Sequence, residues 1–176
     1  MLSENGRFVL FESRSAGFVP GDGNESYDAF IRNVVDESNE LVSTVPLGLV
    51  SLTANGTSTV SGDALSVDGR YVVFESTATD LSPGATNGLK QVYLHYRLSG
   101  QTTLISVNRF GTEAANGHSS QASVSADGRY VLFLSTAEDL VANDTNQLTD
   151  AFVRDLDTGI TTLLSVATNG WSANRA

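Results

Sequence analysis

A short segment with apolar side chains on both of its alternating faces recurs three times along the chain. The copies are GRFVLFES at 6–13, GRYVVFES at 69–76 and GRYVLFLS at 128–135, so successive copies start 63 and 59 residues apart. Apolar and β-branched residues in both alternating positions predict a strand that is covered on both sides. Recurrence at a near-constant spacing predicts stacked structural units.

Four antiparallel strands are predicted in each unit, without a convincing helix. A short strand leads through an Asn-Gly or Asp-Gly turn into the long strand, which is the sequence signal of a hairpin. Two further strands follow, separated by a turn that contains glycine in the second and third units. The predicted short strands are 64–67 and 122–125, the third strands are 29–32, 92–95 and 151–154, and the last strands are 41–45, 102–107 and 161–166.

Four-stranded antiparallel units that repeat radially are the blades of a β-propeller. We therefore predict an all-β fold of three blades, with repeats at 1–61, 62–120 and 121–176. Propellers have about 4–8 blades. Three blades are thus a partial propeller or half of a six-bladed ring, and we expect either a homo-oligomer or a fragment of a longer chain.

Composition removes several classes of function. The net charge of the 176 residues is −10, with a single lysine, and such a field repels phosphate backbones. Nucleic acid is therefore not an expected partner. No apolar run approaches the roughly 20 residues that span a bilayer, so no membrane span is expected. The chain has no cysteine, which excludes disulfides and thiolate metal sites.

Two loops carry oxygen-bearing side chains at alternating positions in the pattern D-x-N-x-x-x-D. Calcium takes carboxylate, amide and backbone oxygens from such loops. The sequence therefore predicts two calcium sites, in which the fifth loop position contributes a backbone carbonyl. The predicted ligands are Asp22, Asn24, Ser26 and Asp28 in the first unit, and Asp144, Asn146, Leu148 and Asp150 in the third.

The matching loop of the second unit favours a different interpretation of the same pattern. It begins with Ala85, ends with Gln91 and contains Lys90, so both carboxylates are missing. Asp and Asn also favour loops through Asx turns and through tolerance of the left-handed backbone region. Calcium binding and turn formation therefore both remain open from the sequence.

No catalytic residues are predicted. The sequence contains no G-x-S-x-G, H-E-x-x-H or Walker motif. His95 replaces Arg32 and Arg154 at its repeat position, which predicts a strand-surface residue. The arginines that follow each turn have a predicted framework role, with Arg70 and Arg129 pairing with the turn aspartates Asp68 and Asp127.

The third unit reads S-x-D-G-R-Y-V-x-F-x-S at 125–135, D-L-x-x-x-x-T-N at 139–146 and D-x-F-V-R-D-L-x-T-G-x-T-T-L-x-S-V at 150–166. These motifs resemble the TolB-like, WD-repeat-like β-propeller proteins. The resemblance implies a non-catalytic binding or scaffolding module for a protein or carbohydrate ligand, in the cell envelope or outside the cell. The alternative that it implies is the propeller part of a larger hydrolase, lyase or glycosidase.

Overall fold

The computed structural model describes residues 1–46 and 52–173, and within these ranges every regular element is a β-strand. Three separate antiparallel sheets form, with the orders β1-β2-β3, β4-β5-β6-β7 and β8-β9-β10-β11. The strands are β1 (Phe8–Ser13), β2 (Asp28–Asn33), β3 (Ser38–Leu41), β4 (Ser58–Thr59), β5 (Tyr71–Ser76), β6 (Gln91–Tyr96), β7 (Gln101–Leu104), β8 (Ser119–Val124), β9 (Tyr130–Ser135), β10 (Asp150–Asp155) and β11 (Ile160–Leu163). A helix long and apolar enough to cross a membrane does not occur in the part of the chain described here.

The long apolar segments form strands as predicted, and their pairing follows the hairpin pattern. In the first sheet, Leu10 lies opposite Ile31 and Phe11 opposite Phe30. The aromatic rings at this register stack in all three sheets, with centroids 5.5–5.8 Å apart. The stacked pairs are Phe11 with Phe30, Phe74 with Tyr93 and Phe133 with Phe152.

The first strands of the second and third sheets, β4 and β8, differ from the short strands predicted before each Asp-Gly turn. Residues 64–67 make only a single bridge, Leu65 to Val72, and β4 lies upstream. Gly62 has φ 58°, which breaks the extended run between the two. In the third sheet, a bulge at Gln121 (φ 54°) keeps the corresponding residues in one strand, β8. The first sheet has three strands within the described residues.

Neighbouring sheets pack through a glycine in each Asp-Gly turn. We define a leading face and a trailing face for each sheet. The leading face carries Phe8 and Leu10 in the first sheet, Tyr71 and Val73 in the second, and Tyr130 and Leu132 in the third. The trailing face is the opposite one. A Cβ atom on Gly69 would lie 2.4 Å from the ring of Phe8, and one on Gly128 would lie 2.1 Å from the ring of Tyr71. Both glycines also have positive φ, 70° and 77°. Glycine is therefore required there for the turn and for the close contact.

Segments with the sequence Ala-Asn-Gly join consecutive sheets at the end where the acidic loops lie. The backbone N–H of Asn55 donates to Asp80 at 3.0 Å, and that of Asn116 donates to Asp139 at the same distance. A Cβ atom on Gly56 or Gly117 would approach the backbone of the following sheet to 2.7 or 2.5 Å. The aspartate of the D-L-x-x-x-x-T-N motif therefore holds the junction between sheets.

Candidate functional site

Each of the three predicted loops is built around one asparagine that forms an Asx turn. The asparagine side-chain oxygen accepts the backbone N–H two residues later at 2.9–3.1 Å, in the pairs Asn24 with Ser26, Asn87 with Leu89 and Asn146 with Leu148. The next residue is left-handed in every loop, at Glu25, Gly88 and Gln147. The turn is the same in the second loop, which has no carboxylates, so the carboxylates are not required for the shape of the turn.

A serine hydroxyl holds the last residue of each loop, where the next strand begins. Ser43 donates to Asp28 Oδ1 at 2.7 Å, and Ser165 donates to Asp150 Oδ1. Each of these serine oxygens also accepts the backbone N–H of the following strand residue, Ala29 or Ala151. The two carboxylates are thereby fixed at the start of β2 and β10, each with one oxygen used.

The two carboxylates of each acidic loop lie close enough to affect one another. Burial raises the pKa of Asp28 to about 6; the hydrogen bond from Ser43 opposes the rise, and the Asp22 carboxylate adds to it. Burial also raises the pKa of Asp22. Burial and then the charge of Asp150 raise the pKa of Asp144. Both loops therefore hold two like charges in a partly dehydrated place.

The remaining oxygens of these carboxylates have no hydrogen-bond partner. Asp28 is fully buried and Asp150 is 1% exposed, and the Oδ2 atom of each is unpartnered. Oδ1 of the buried Asp144 and Nδ2 of Asn146 are unpartnered as well. Across residues 1–46 and 52–173, these four are the only buried side-chain polar atoms without a partner. All four belong to residues that the sequence predicts as calcium ligands.

The second loop satisfies the same position with a neutral amide. Gln91 donates from Nε2 to the carbonyls of Ala115 at 2.9 Å and Gly117 at 3.1 Å. Its Oε1 accepts from Ser106 and Ser119. Both polar atoms of the Gln91 side chain therefore have hydrogen-bond partners, whereas the Oδ2 atom of the aspartate at this position in the other two loops has none. The second loop therefore differs from the two acidic loops in its charge and in the hydrogen bonding of its last side chain, and not in its backbone shape.

Among the eight predicted ligands, the carboxylates are brought together and the amides serve the turn. No group of three or more His, Asp or Glu side chains poised to hold a metal ion occurs in the described residues. The serines Ser43 and Ser165 lie outside the predicted ligand set; an S-V dipeptide at the end of the predicted last strand marks Ser165, whereas Ser43 is followed by Thr44. The assignment of metal ligands stays a prediction.

Two other predictions about polar residues are wrong. His95 is buried rather than on the strand surface, because the second sheet is covered on both faces. Its ring lies 3.6 Å from Glu40 and 3.0 Å from Thr102. Arg70 does pair with Asp68 at 3.3 Å, but Arg129 pairs with Asp155 at 2.8 Å instead of Asp127. The side chain of Asp127 instead accepts from Ser125 and from the backbone of Arg129.

An open groove elsewhere has no relation to the acidic loops. It has a volume of about 500 Å³ and is lined by the turn at 108–111 and by residues of β10 and β11. Its charged lining residues are Arg109 and Arg154, and none of the eight predicted ligands lines it. Among the described residues that line this groove there is no pair of a general acid and a general base.

Comparison with solved structures shows that the fold is a TolB-like propeller segment. TolB from Acinetobacter baumannii is similar over 93% of this chain and 31% of its own, with 15% identity and a TM-score of 0.53. A TolB-type protein from Agrobacterium tumefaciens is similar over 93% and 47%, with 16% identity and a TM-score of 0.54. The AtxE2 isopeptidase is similar over 97% and 29%, with 10% identity and a TM-score of 0.52.

The chain therefore spans less than half the length of these structures. At such identities the likeness shows the fold and not the activity. No protein-family model and no curated protein matches the sequence.

Proposed function

We propose that the chain is a non-catalytic β-propeller scaffolding module that binds a further propeller blade through the leading face of its third sheet. The observation that carries the proposal is a difference in burial at one repeated position. Leu10 and Val73 are fully buried, whereas Leu132, at the equivalent position of the third sheet, is 42% exposed. The neighbouring sheet covers the first two, and no sheet formed by residues 1–46 and 52–173 covers the third.

The rest of the open face has the same composition as the covered faces. Val42 and Ile105 are fully buried, and their equivalent, Leu164, is exposed. Tyr130, which corresponds to Phe8 and Tyr71, is exposed as well. An apolar face that repeats a covered junction is typical of an interaction surface rather than of an ordinary solvated face. A sheet that packs on this open face should carry a glycine in its turn at the position of Gly69 and Gly128.

The trailing face of the first sheet is the complementary half of such a junction. Val72, Phe74, Val131 and Phe133 are fully buried against the preceding sheet. Their equivalents, Val9 and Phe11, are only partly buried. A second copy of the chain can therefore place its trailing face on the open leading face. Two copies joined head to tail at both junctions form a closed ring with six sheets.

Light scattering of the isolated chain at micromolar concentration tests this proposal. We expect a discrete species with twice the 18.6 kDa mass of one chain. A folded monomer that persists at these concentrations would contradict it. A cell-envelope or extracellular location is proposed along with the scaffold role, on the basis of the family resemblance alone.

The alternative function is the propeller part of a larger hydrolase. This alternative is supported by the similarity to the AtxE2 isopeptidase, because the chain covers only 29% of that enzyme. In that case the sheets that cover the open face lie in the same polypeptide. Peptidase activity in the isolated chain would contradict the scaffold proposal, whereas catalytic residues in a flanking domain would support the alternative.

A further inference from the structure

The unpartnered atoms of the acidic loops require an explanation that the scaffold role does not give. A buried carboxylate oxygen without a partner costs about 1–3 kcal/mol or more relative to a satisfied one. Native proteins have few such groups, and each one needs an explanation, of which a bound water or ion is one. Here they are confined to Asp28, Asp144, Asn146 and Asp150.

The placement of the carboxylates points to a positively charged partner. Asp22 and Asp28 repel one another, as do Asp144 and Asp150, and burial weakens the screening between them. A hydrogen-bond donor such as water would satisfy one oxygen but would leave the repulsion. A cation between the two carboxylates would remove both costs. Within residues 1–46 and 52–173, no lysine, arginine or histidine forms an ion pair with any of these four carboxylates.

We infer that Asp22 with Asp28, and Asp144 with Asp150, form two cation sites, and that their ion is calcium. The ligands are oxygens, which excludes an ion that prefers nitrogen or sulfur. Calcium accepts six to eight oxygens in irregular geometry, so carboxylates, the second lone pair of the Asn24 or Asn146 oxygen, loop carbonyls at Ser26 or Leu148, and water can share it. Magnesium needs a compact octahedron and gives up water reluctantly.

The second loop acts as an internal negative control. Gln91 has no charge and no unpartnered group, and Ala85 replaces the first carboxylate. The inference therefore predicts two ions per chain and none at the second loop. It does not depend on the assembly of the chain, because both carboxylates of each site come from one loop.

Isothermal titration of calcium chloride into the chelator-treated chain tests the inference. We expect two binding sites per chain, with magnesium chloride giving no comparable heat at the same concentrations. Asp28→Asn and Asp150→Asn should each remove one site, and the double variant should remove both. Asp157→Asn, which changes an exposed acid outside the loops, should retain both sites.

Melting temperatures, measured in chelator and in calcium, distinguish loss of calcium binding from loss of folding in these variants. Asparagine preserves the oxygen that accepts from Ser43 or Ser165 and removes the repelling charge. In chelator, Asp28→Asn and Asp150→Asn should therefore melt at least as high as the unaltered chain, yet lose part of its rise with calcium. Absence of calcium heat in the unaltered chain, or full calcium binding by the folded double variant, would overturn the inference. An equal response to magnesium would overturn the assignment of calcium.

Discussion

Arg97 of the second sheet donates two hydrogen bonds to one carboxylate oxygen of Glu40 in the first sheet, from Nη2 at 2.7 Å and from Nε at 3.0 Å. The same guanidinium lies over the ring of Phe8, 4.4 Å from its centroid, and donates to the carbonyl of Gly69 at 2.8 Å. One side chain thus links an ion pair, an aromatic ring and the turn at the junction of two sheets. The arginine fork suits this combination better than lysine would.

The Glu40–Arg97 pair should make the stability of this junction depend on acid. Burial favours the neutral form of Glu40, but His95 and Arg97 outweigh it and lower its pKa. The pair therefore stabilises the fold above the unfolded-state pKa of about 4.3, and this contribution is lost as pH falls through the lower folded-state pKa. Since Glu40 is partly exposed, Glu40→Gln should cost no more than about 1 kcal/mol at pH 7.

Urea unfolding of both proteins at pH 7 and pH 3 measures this effect. The difference in unfolding free energy between the unaltered chain and Glu40→Gln should shrink at pH 3. Glu113→Gln, at an exposed loop position, serves as the control and should show no such change. A difference for Glu40→Gln that is the same at both pH values would contradict the role of the ion pair.

The turn glycine at the junction of the second and third sheets should be intolerant of a side chain. In Gly128→Ala, the new Cβ would meet the ring of Tyr71 at 2.1 Å, in addition to the positive φ. Gly100→Ala is the matched control, with φ 69° and no atom within 4 Å of its Cβ. The control should lose about 1–2 kcal/mol from backbone strain. Gly128→Ala should lose a further 1–3 kcal/mol or so from overpacking. Equal losses in thermal unfolding would contradict the packing of Tyr71 on this turn.

The second loop offers a gain-of-function test of the calcium sites. Ala85→Asp combined with Gln91→Asp restores the pattern D-x-N-x-x-x-D in a loop that already has the same Asx turn. The double variant should be less stable in chelator, because the new carboxylates repel, the carbonyl of Gly117 loses its donor and the carbonyl of Ala115 keeps only the one from Asn87. Calcium at a hundredfold excess over Kd should raise the free energy of unfolding of the double variant by about 2.7 kcal/mol through binding at this loop. Titration should then give three ions per chain; a count that stays at two would contradict the loop chemistry.

Much of this architecture is predictable from the sequence because the repeated segments carry strong local signals. The strands at 6–13, 69–76 and 128–135 and their glycine turns follow from alternation and turn chemistry. The loops at 22–28 and 144–150 also stand out by composition. In each case the signal lies within a few neighbouring residues.

The remaining features depend on contacts between distant residues. The burial of His95 results from the sheet packed beside it, and the pairing of Arg129 with Asp155 links residues 26 positions apart. The unpartnered state of Asp28 and Asp150 is likewise a property of packing that composition does not carry. The division into repeats at 1–61, 62–120 and 121–176 stays a prediction.

The open leading face of the third sheet should govern self-association. Leu132→Lys places a charge at the position that is fully buried as Leu10 and Val73 in the other sheets. Burial of the leucine is worth about 1.5–3 kcal/mol, and the buried lysine adds a desolvation cost. We expect the variant to remain folded and to become monomeric in sedimentation experiments. Leu98→Lys, in an exposed turn outside this face, should associate as the unaltered chain does. Association that is equally strong in both variants would place the interface elsewhere.

Two tyrosines with nearly equal exposure provide the most direct test that the leading face of the third sheet is a junction. Tyr130 on that face is 39% exposed, and Tyr27 in the first acidic loop is 41% exposed. Hydroxyl-radical labelling read by mass spectrometry reports the reactivity of each side chain as the protein concentration rises. Tyr130 should become protected as the concentration rises, while Tyr27 should keep its reactivity. Equal and constant labelling of both tyrosines at every concentration would contradict it.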